Sequence, residues 1–386
     1  MDSNRFRVAH ICQSDDPNVG GSLSVARALV REQRKLGLDA RLIFLYRANS
    51  TSDRPPNNTD SLWCDVERKS RWLHGVPRLR RILKQFDPAI IHHHDGILWP
   101  RLATMTLGRP LVTHGHLGLP AQGFFSPARL TQFVVARTTD RLIAISEWVA
   151  SSWERGGFPK KRIWLIPNGV ETNRFFSRSS GEKQALRKQL GLPVDCQIAL
   201  WVGRLHRKMK GLDRLVATAS VLRPPFHLVV VGDGPDRSWL EDKMKQIGRE
   251  ASDYTLVGKV ADPSLYFGAA DMFLFTSVVE PFGLVLLEAA ASGLPVFAFD
   301  CEGGGRDLLH KVKATIARED EAGWLVEQMN SRPNQLNTVE ITKMVRLEFS
   351  WESAARKTIE LYQELLEIAK QRNIDVLSVG KRAGSF

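Results

Sequence analysis

Short apolar runs alternate along the whole chain with longer stretches in which apolar residues recur every three or four positions. The runs suit strands buried on both faces and the longer stretches suit the helices that cover them, so the alternation predicts parallel sheets of the α/β class. In the first half the strand candidates are Arg7 to Cys12, Ala40 to Tyr46, Ala89 to His92, Pro110 to Thr113, Arg141 to Ile145 and Ile163 to Ile166. In the second half they are Ile198 to Val202, His227 to Val231, Tyr254 to Val257, Met272 to Phe275 and Pro295 to Phe299. Two series predict two sheets, and the turn-forming triplet Pro167-Asn168-Gly169 marks the break between them. The expected division is a first domain over 1–168, a second over 169–350, and a closing helix within 351–386 that starts at Trp351. The apolar stretch from Ala269 to Phe299 has the length of a membrane span, but Glu280, Pro281 and Glu288 interrupt it, and a buried strand, turn and helix is predicted instead. No fixed-period repeat points to a solenoid.

Composition adds a domain count and a class. A chain of 386 residues exceeds one ordinary core, and 43% hydrophobic with 25% charged residues is the balance of a globular protein. The cysteines, Cys12, Cys64, Cys196 and Cys301, are widely spaced with no CxxC pair, which speaks against a zinc knuckle or disulfide framework and for reduced thiols in a cytosol. The opening residues carry no apolar run of signal-peptide length, so no leader is expected.

Charge changes the picture more. Residues 1–170 hold 25 Lys and Arg against 14 Asp and Glu, whereas residues 171–386 hold 29 against 28, so nearly all of the net +12 belongs to the first half. A one-sided basic surface suits phosphate-rich matter, an anionic membrane or a nucleic acid. No recognition module for nucleic acid accompanies it, and no nucleic-acid partner is expected. The segment from Val66 to Phe86 interleaves Lys69, Arg71, Arg78, Arg80, Arg81 and Lys84 with Trp72, Leu73, Leu79, Ile82, Leu83 and Phe86, which fits an interfacial basic helix or, equally, a solvated helix with one core face. Phe124-Phe125, between glycine and proline, offers an apolar loop tip.

The candidate chemistry lies in the second half. Glu280-Pro-Phe-Gly-Leu-Val-Leu-Leu-Glu288 follows a predicted strand and leads into a helix that begins near Gly283. The free N–H groups and positive dipole end of such a helix suit phosphate oxygens, and two carboxylates at different depths suit the hydroxyls of a sugar and a ribose. Gly203-Arg204 ends another strand and Lys210-Gly211 opens the next predicted helix, which brings cations to a second carboxyl end where they can meet the same diphosphate. Gly232-Asp233-Gly234 makes a third exit of this kind. In the first half, His92-His93-His94-Asp95 leaves a strand, where adjacent side chains alternate in direction and cannot all bind one ion, so no metal is expected.

Taken in order, these motifs resemble the retaining GT-B glycosyltransferases, specifically family four of the group 1 type. The resemblance runs through Gly20-Gly21, His114, Ser146, Ile166 to Val170, Gly203-Arg204, Lys210-Gly211, Gly232 to Gly234, the pair Glu280 and Glu288, and Phe349-Ser350-Trp351. It implies a GT-B fold of two Rossmann-like domains facing across a deep cleft, with the last helix crossing back to the first domain. It implies that Glu280 touches the donor sugar, that Phe282, Gly283 and Leu284 offer backbone N–H groups, and that Glu288 holds the ribose. Arg204 and Lys210 would neutralise the diphosphate, Gly20 and Gly21 would approach it from the first domain, and His114 would face the reacting sugar. It further implies transfer of a hexose-type sugar from a UDP- or GDP-sugar to a glycan or lipid-linked glycan, without metal or other cofactor. The setting it suggests is polysaccharide or lipopolysaccharide assembly, at the inner face of the cytoplasmic membrane.

This chain departs from that pattern in places. Where the family commonly carries Gly-Gly-x-x-Glu, it has Gly303-Gly304-Gly305-Arg306-Asp307, and Leu308 to Leu347 resembles the family only vaguely, so an irregular sheet edge is expected there. Arg204 and Lys210 stand one residue further apart than usual, which makes Lys208 a rival phosphate ligand. A catalytically silent nucleotide- or glycan-binding protein on the same scaffold is the alternative. A nicotinamide-dependent enzyme is excluded by the lack of GxGxxG after the first strand.

Overall fold

The structure, a computed structural model, describes residues 6–15, 21–46, 60–67, 71–94, 97–119, 127–250, 253–331 and 338–383. The chain divides into two compact units, Met1–Pro167 with Trp351–Phe386, and Asn168–Ser350.

In the first unit the strands are β1 (Arg7–Ser14), β2 (Asp39–Tyr46), β3 (Ser61–Trp63), β4 (Ile90–His93), β5 (Leu111–Gly115), β6 (Arg141–Ala144) and β7 (Ile163–Leu165), in the order β3-β2-β1-β4-β5-β6-β7. The second unit holds β8 (Gln197–Val202), β9 (Phe226–Val231), β10 (Tyr254–Gly258), β11 (Met272–Phe275), β12 (Val296–Phe299) and β13 (Thr315–Ala317), in the order β10-β9-β8-β11-β12-β13. Every pairing between these strands is parallel. Both sheets therefore have the doubly wound order whose direction reverses once, between β1 and β4 and between β8 and β11. Ligands of such sheets bind outside the carboxyl ends at that reversal.

The strands form where the sequence offers β-branched and aromatic residues with both faces covered. β11, Met-Phe-Leu-Phe, is buried at all four positions, and Phe273 and Phe275 lie on one face while Met272 and Leu274 join a core with Leu215, Leu228 and Phe297 on the other. Full burial of each such side chain is worth about 1.5–3 kcal/mol.

Eleven of the observed strands coincide with sequence candidates to within two residues. The two others, β3 and β13, are three-residue edge strands. β13 corrects the expectation of an irregular edge after Leu308: it pairs with β12 from Phe297↔Thr315 to Phe299↔Ala317, and the helices Ala322–Ser331 and Thr338–Glu348 follow it. The closing helix runs Trp351–Ala383 and packs with the first unit, where its Tyr362 is fully buried.

Candidate functional site

Glu280 is held from both sides of its peptide. Its N–H donates to the Glu302 carbonyl at 2.8 Å and its own carbonyl accepts from the Gly305 N–H at 2.9 Å. Gly303 has φ +107°, and a Cβ there would lie 2.3 Å from the Glu280 oxygen; one on Gly305 would lie 2.7 Å from the Glu280 Cβ. The glycine run that departs from the family pattern is therefore the seat on which Glu280 rests. The Glu280 side chain is buried, and its Oε2 accepts from Lys210 Nζ at 2.6 Å and from Ser277 Oγ at 3.3 Å.

Lys210 stands differently from the sequence expectation. It closes a four-residue helix, Arg207–Lys210, and Gly211 at φ +62° separates it from the helix Leu212–Val221. Its carbonyl accepts from Thr276 Oγ1 at 2.7 Å, so the exits of β8 and β11 are tied at this point. The Lys210 ammonium thus balances the Glu280 carboxylate. Arg204 and Lys208 are exposed, and neither side chain has a partner among the described residues, whereas the Lys210 ammonium gives one of its three donors to Glu280.

The helix that follows Glu280 runs Leu284–Ala291 with Gly283 at its N-cap, at φ +100° and without a side-chain cap. Phe282 and Gly283 are buried and Leu284 partly so. Glu288 is the fifth residue of this helix, and burial pushes its carboxyl up to about 7, with Arg174 pulling it down and Glu171 pushing it up more weakly. The folded protein then binds a proton at Glu288 that the unfolded chain releases, so stability from this group is present below pH 4.5 and is lost as pH rises through 7. Raising the pH from 5 to 8 is expected to lower the melting temperature of the wild type relative to Glu288→Gln; parallel melting curves of the two across that range contradict the assignment.

Gly232, at φ +141°, has a reason independent of any ligand. A Cβ there would lie 1.8 Å from the Gly203 carbonyl oxygen, and one on Gly234 would lie 2.4 Å from that of Leu205. These glycines let the exits of β8 and β9 touch backbone to backbone.

In the first unit, Gly20 lies outside the described residues, as do Asp95 and Phe124-Phe125. Gly21 opens the helix Gly21–Lys35, with no atom within 4 Å of where its Cβ would stand. Ser146 caps the helix Glu147–Arg155 by accepting from the Val149 N–H. His114, on β5, is buried and belongs to a stack that the sequence did not reveal as a unit. The alternation expected of His92 to His94 holds: His92 and His94 share one face, where they meet His10 from β1 and His114 and His116 from the end of β5. Ring centroids are 4.4 Å apart for His114 and His116, 4.5 Å for His92 and His94, and 4.8 Å for His10 and His92.

Burial pushes His10 down to about 4 and His116 to about 3, and holds His92, His94 and His114 well below the ordinary imidazole range, with neighbouring imidazoles adding to the shift of these last three. All five rings are therefore neutral at neutral pH. Two triplets, His10-His92-His94 and His94-His114-His116, bring ligand atoms within 4.8 Å of one another and are the groups able to hold a metal among the described residues. The signal was legible in principle: His10, His92, His94, His114 and His116 all lie in or just past three strands that the sheet order places side by side.

Comparison with known proteins decides the family. The family described as Glycosyltransferase Family 4 matches residues 19–174, and Glycosyl transferases group 1 matches residues 196–334. A GDP-mannose-dependent alpha-mannosyltransferase of Mycobacterium tuberculosis is 31% identical over 78% of this chain and 81% of its own. The chain belongs to the GT-B group 1 glycosyltransferases. An uncharacterized glycosyltransferase of Methanocaldococcus jannaschii is 31% identical as well, over 54% of this group 1 glycosyltransferase and 56% of the relative, so that the chain spans about half the length of this relative. Anabaena HepE, solved with UDP and glucose, shares the fold at a TM-score of 0.78 and 19% identity, covering 93% of this chain and all of that one. The glycines and charges described above thus sit at the strand exits of an established group 1 fold.

Proposed function

We propose that this group 1 glycosyltransferase moves a hexose-type sugar from a UDP- or GDP-sugar to a glycan or lipid-linked glycan acceptor in cell-surface polysaccharide assembly. The observation that carries the reading is the conjunction at the β8–β11 reversal: a buried Glu280 carboxylate balanced by Lys210, an uncapped helix end at Gly283, and the unpartnered Arg204 and Lys208. Glu280 accepts from hydroxyls of the sugar, Glu288 from the ribose, and the helix end with Arg204 and Lys208 receives the diphosphate. His114 serves the sugar from the first unit. The names of the relatives support both nucleotide classes, since one depends on GDP-mannose and another was solved with UDP and glucose.

Reaction proceeds with retention and without metal. The bond from the anomeric carbon to the phosphate oxygen breaks as the acceptor oxygen bonds to that carbon from the same face, and the acceptor's proton passes to the departing phosphate oxygen. Cationic side chains supply the leaving-group stabilisation that a metal ion gives elsewhere. Nucleotide-induced thermal stabilisation is the first test, with UDP or GDP expected to raise the melting temperature of the wild type and Arg204→Ala expected to lose most of that rise.

We also propose peripheral attachment to the inner face of the cytoplasmic membrane. No helix among the described residues is long and apolar enough to cross a membrane. The helix Val76–Phe86 spends Leu79, Leu83 and Phe86 on the core, leaving Arg78, Arg80, Arg81 and Lys84 on its exposed sides, with Trp72 and Leu73 exposed just ahead of it. Each basic residue near an anionic surface contributes about 1 kcal/mol, so changing Arg78, Arg80 and Arg81 to glutamine is expected to weaken binding to phosphatidylglycerol vesicles on the order of 10²-fold. Binding that is equal on neutral phosphatidylcholine vesicles, or unmoved by that triple change, contradicts the attachment.

A further inference from the structure

Half of the chain's ten histidines stand in the stack on β1, β4 and β5, and their hydrogen bonds converge on a single amide. Gln33, buried in the helix Gly21–Lys35, presents its Oε1 to His10 Nε2 at 2.8 Å and its amide nitrogen to the Tyr362 hydroxyl at 3.4 Å. A carbonyl oxygen only accepts, so His10 carries its proton on Nε2 and keeps a lone pair on Nδ1. That lone pair accepts from His94 Nε2 at 2.8 Å, and His94 Nδ1 accepts in turn from His116 Nε2 at 3.2 Å.

The other end of the amide fixes a second chain. Because the Gln33 N–H donates to the Tyr362 oxygen, Tyr362 directs its own hydrogen to His92 Nδ1, 2.5 Å away. His92 then holds its proton on Nε2 and donates to His114 Nδ1 at 3.3 Å. The remaining proton of His114 sits on its Nε2, which is buried and has no partner among the described residues. An unmet buried donor costs about 1–3 kcal/mol, so this N–H awaits an acceptor.

A chelating trio aims its lone pairs at one point, whereas here His10 Nδ1 and His94 Nε2 face each other at hydrogen-bond distance, and the His94, His114 and His116 rings stack with planes 6–23° apart. The geometry favours a hydrogen-bond network over a metal site.

We propose that Gln33 and Tyr362 are positioning residues that hold all five histidines in the Nε2–H tautomer, so that His114 presents a hydrogen-bond donor to an oxygen of the bound sugar. Its last clause rests on the sugar-transfer reading; the tautomer assignment does not. A ring whose open nitrogen already bears the proton cannot accept one from the acceptor hydroxyl, which agrees with the proton passing to the departing phosphate.

The test is long-range 1H–15N correlation of the full chain labelled at histidine, with His114→Asn assigning its signals. Five neutral rings protonated at Nε2 are expected for His10, His92, His94, His114 and His116. Tyr362→Phe removes the donor to His92, and is expected to give mixed tautomers at His92 and His114 while His10, His94 and His116 keep theirs. Its kcat is expected to fall about tenfold at unchanged KM, in proportion to one well-placed hydrogen bond. Gln33→Glu, which only accepts, draws the Tyr362 hydrogen toward itself and is expected to give the same selective change. A wild-type His114 protonated at Nδ1, spectra unmoved by either substitution, or nitrogen shifts of metal-bound imidazole with stoichiometric metal overturn the proposal. The expected spectra in a protein that transfers no sugar uphold the network and refute the functional reading instead.

Discussion

Glu280→Ala is expected to lower kcat for sugar transfer by about 10–150-fold, the rate equivalent of one charge-assisted hydrogen bond of about 1.5–3 kcal/mol. The same substitution strands the Lys210 ammonium, whose side chain is 23% exposed and has Glu280 as its anionic neighbour at 2.6 Å. Loss of that balance redirects Lys210 toward whatever anion enters, so KM for the donor falls or holds while kcat drops. Lys210→Ala unbalances the same carboxylate from the other side. The two changes are therefore expected to be non-additive, with a coupling of about 0.5–3 kcal/mol in a double-mutant cycle on kcat/KM. Strictly additive effects would show that Lys210 serves the diphosphate independently of Glu280.

The second large effect is on stability. Gly303→Ala puts a methyl group 2.3 Å from the Glu280 carbonyl oxygen at a φ of +107° that alanine resists. Backbone stands on both sides of the contact, so neither partner can rotate away. Strain at such a φ and overpacking each cost about 1–3 kcal/mol, and a loss of about 2–5 kcal/mol is expected from urea denaturation followed in the second unit. Activity is expected to fall with it, because Glu280 moves with its seat. Gly323→Ala is the control: no atom lies within 4 Å of the new Cβ, the residue is helical, and its midpoint is expected to stay within about 1 kcal/mol of wild type. Equal losses at the two positions would show that the crowding at Gly303 is not what limits substitution.

The fold was legible where a strand is long enough to make an apolar run and is buried on both faces, as in β8, β9 and β11. β3 and β13 escaped because Ser61-Leu-Trp and Thr315-Ile-Ala make no apolar run, whereas the equally short edge strand β7 lies in the run Ile163-Trp-Leu-Ile. Among the site residues, Glu280, Glu288, Arg204 and His114 stood out through short motifs at strand exits, which record local chain geometry. The partnership of Lys210 with Glu280 joins residues 70 positions apart, and spacing along the chain carries no trace of it. Gly303 and Gly305 stood out as a departure from a pattern, and only the neighbouring Glu280 backbone explains why side chains are excluded there. The histidine stack required knowing that β1, β4 and β5 are neighbours in register, with His10 opposite His92. Alternation along one strand was correctly read, but its consequence lay across three.

The central claim is that the β8–β11 reversal holds a nucleotide-sugar for transfer, and diphosphate release tests it most directly. Wild type, Glu280→Ala and Arg204→Ala are offered a panel of UDP- and GDP-sugars with a lipid-linked glycan acceptor, and nucleoside diphosphate is measured with time. Acceptor-dependent release of UDP or GDP by the wild type from one class of donor, strongly reduced in both variants, is the predicted result. No release from any donor, or release that both substitutions leave unchanged, would contradict it.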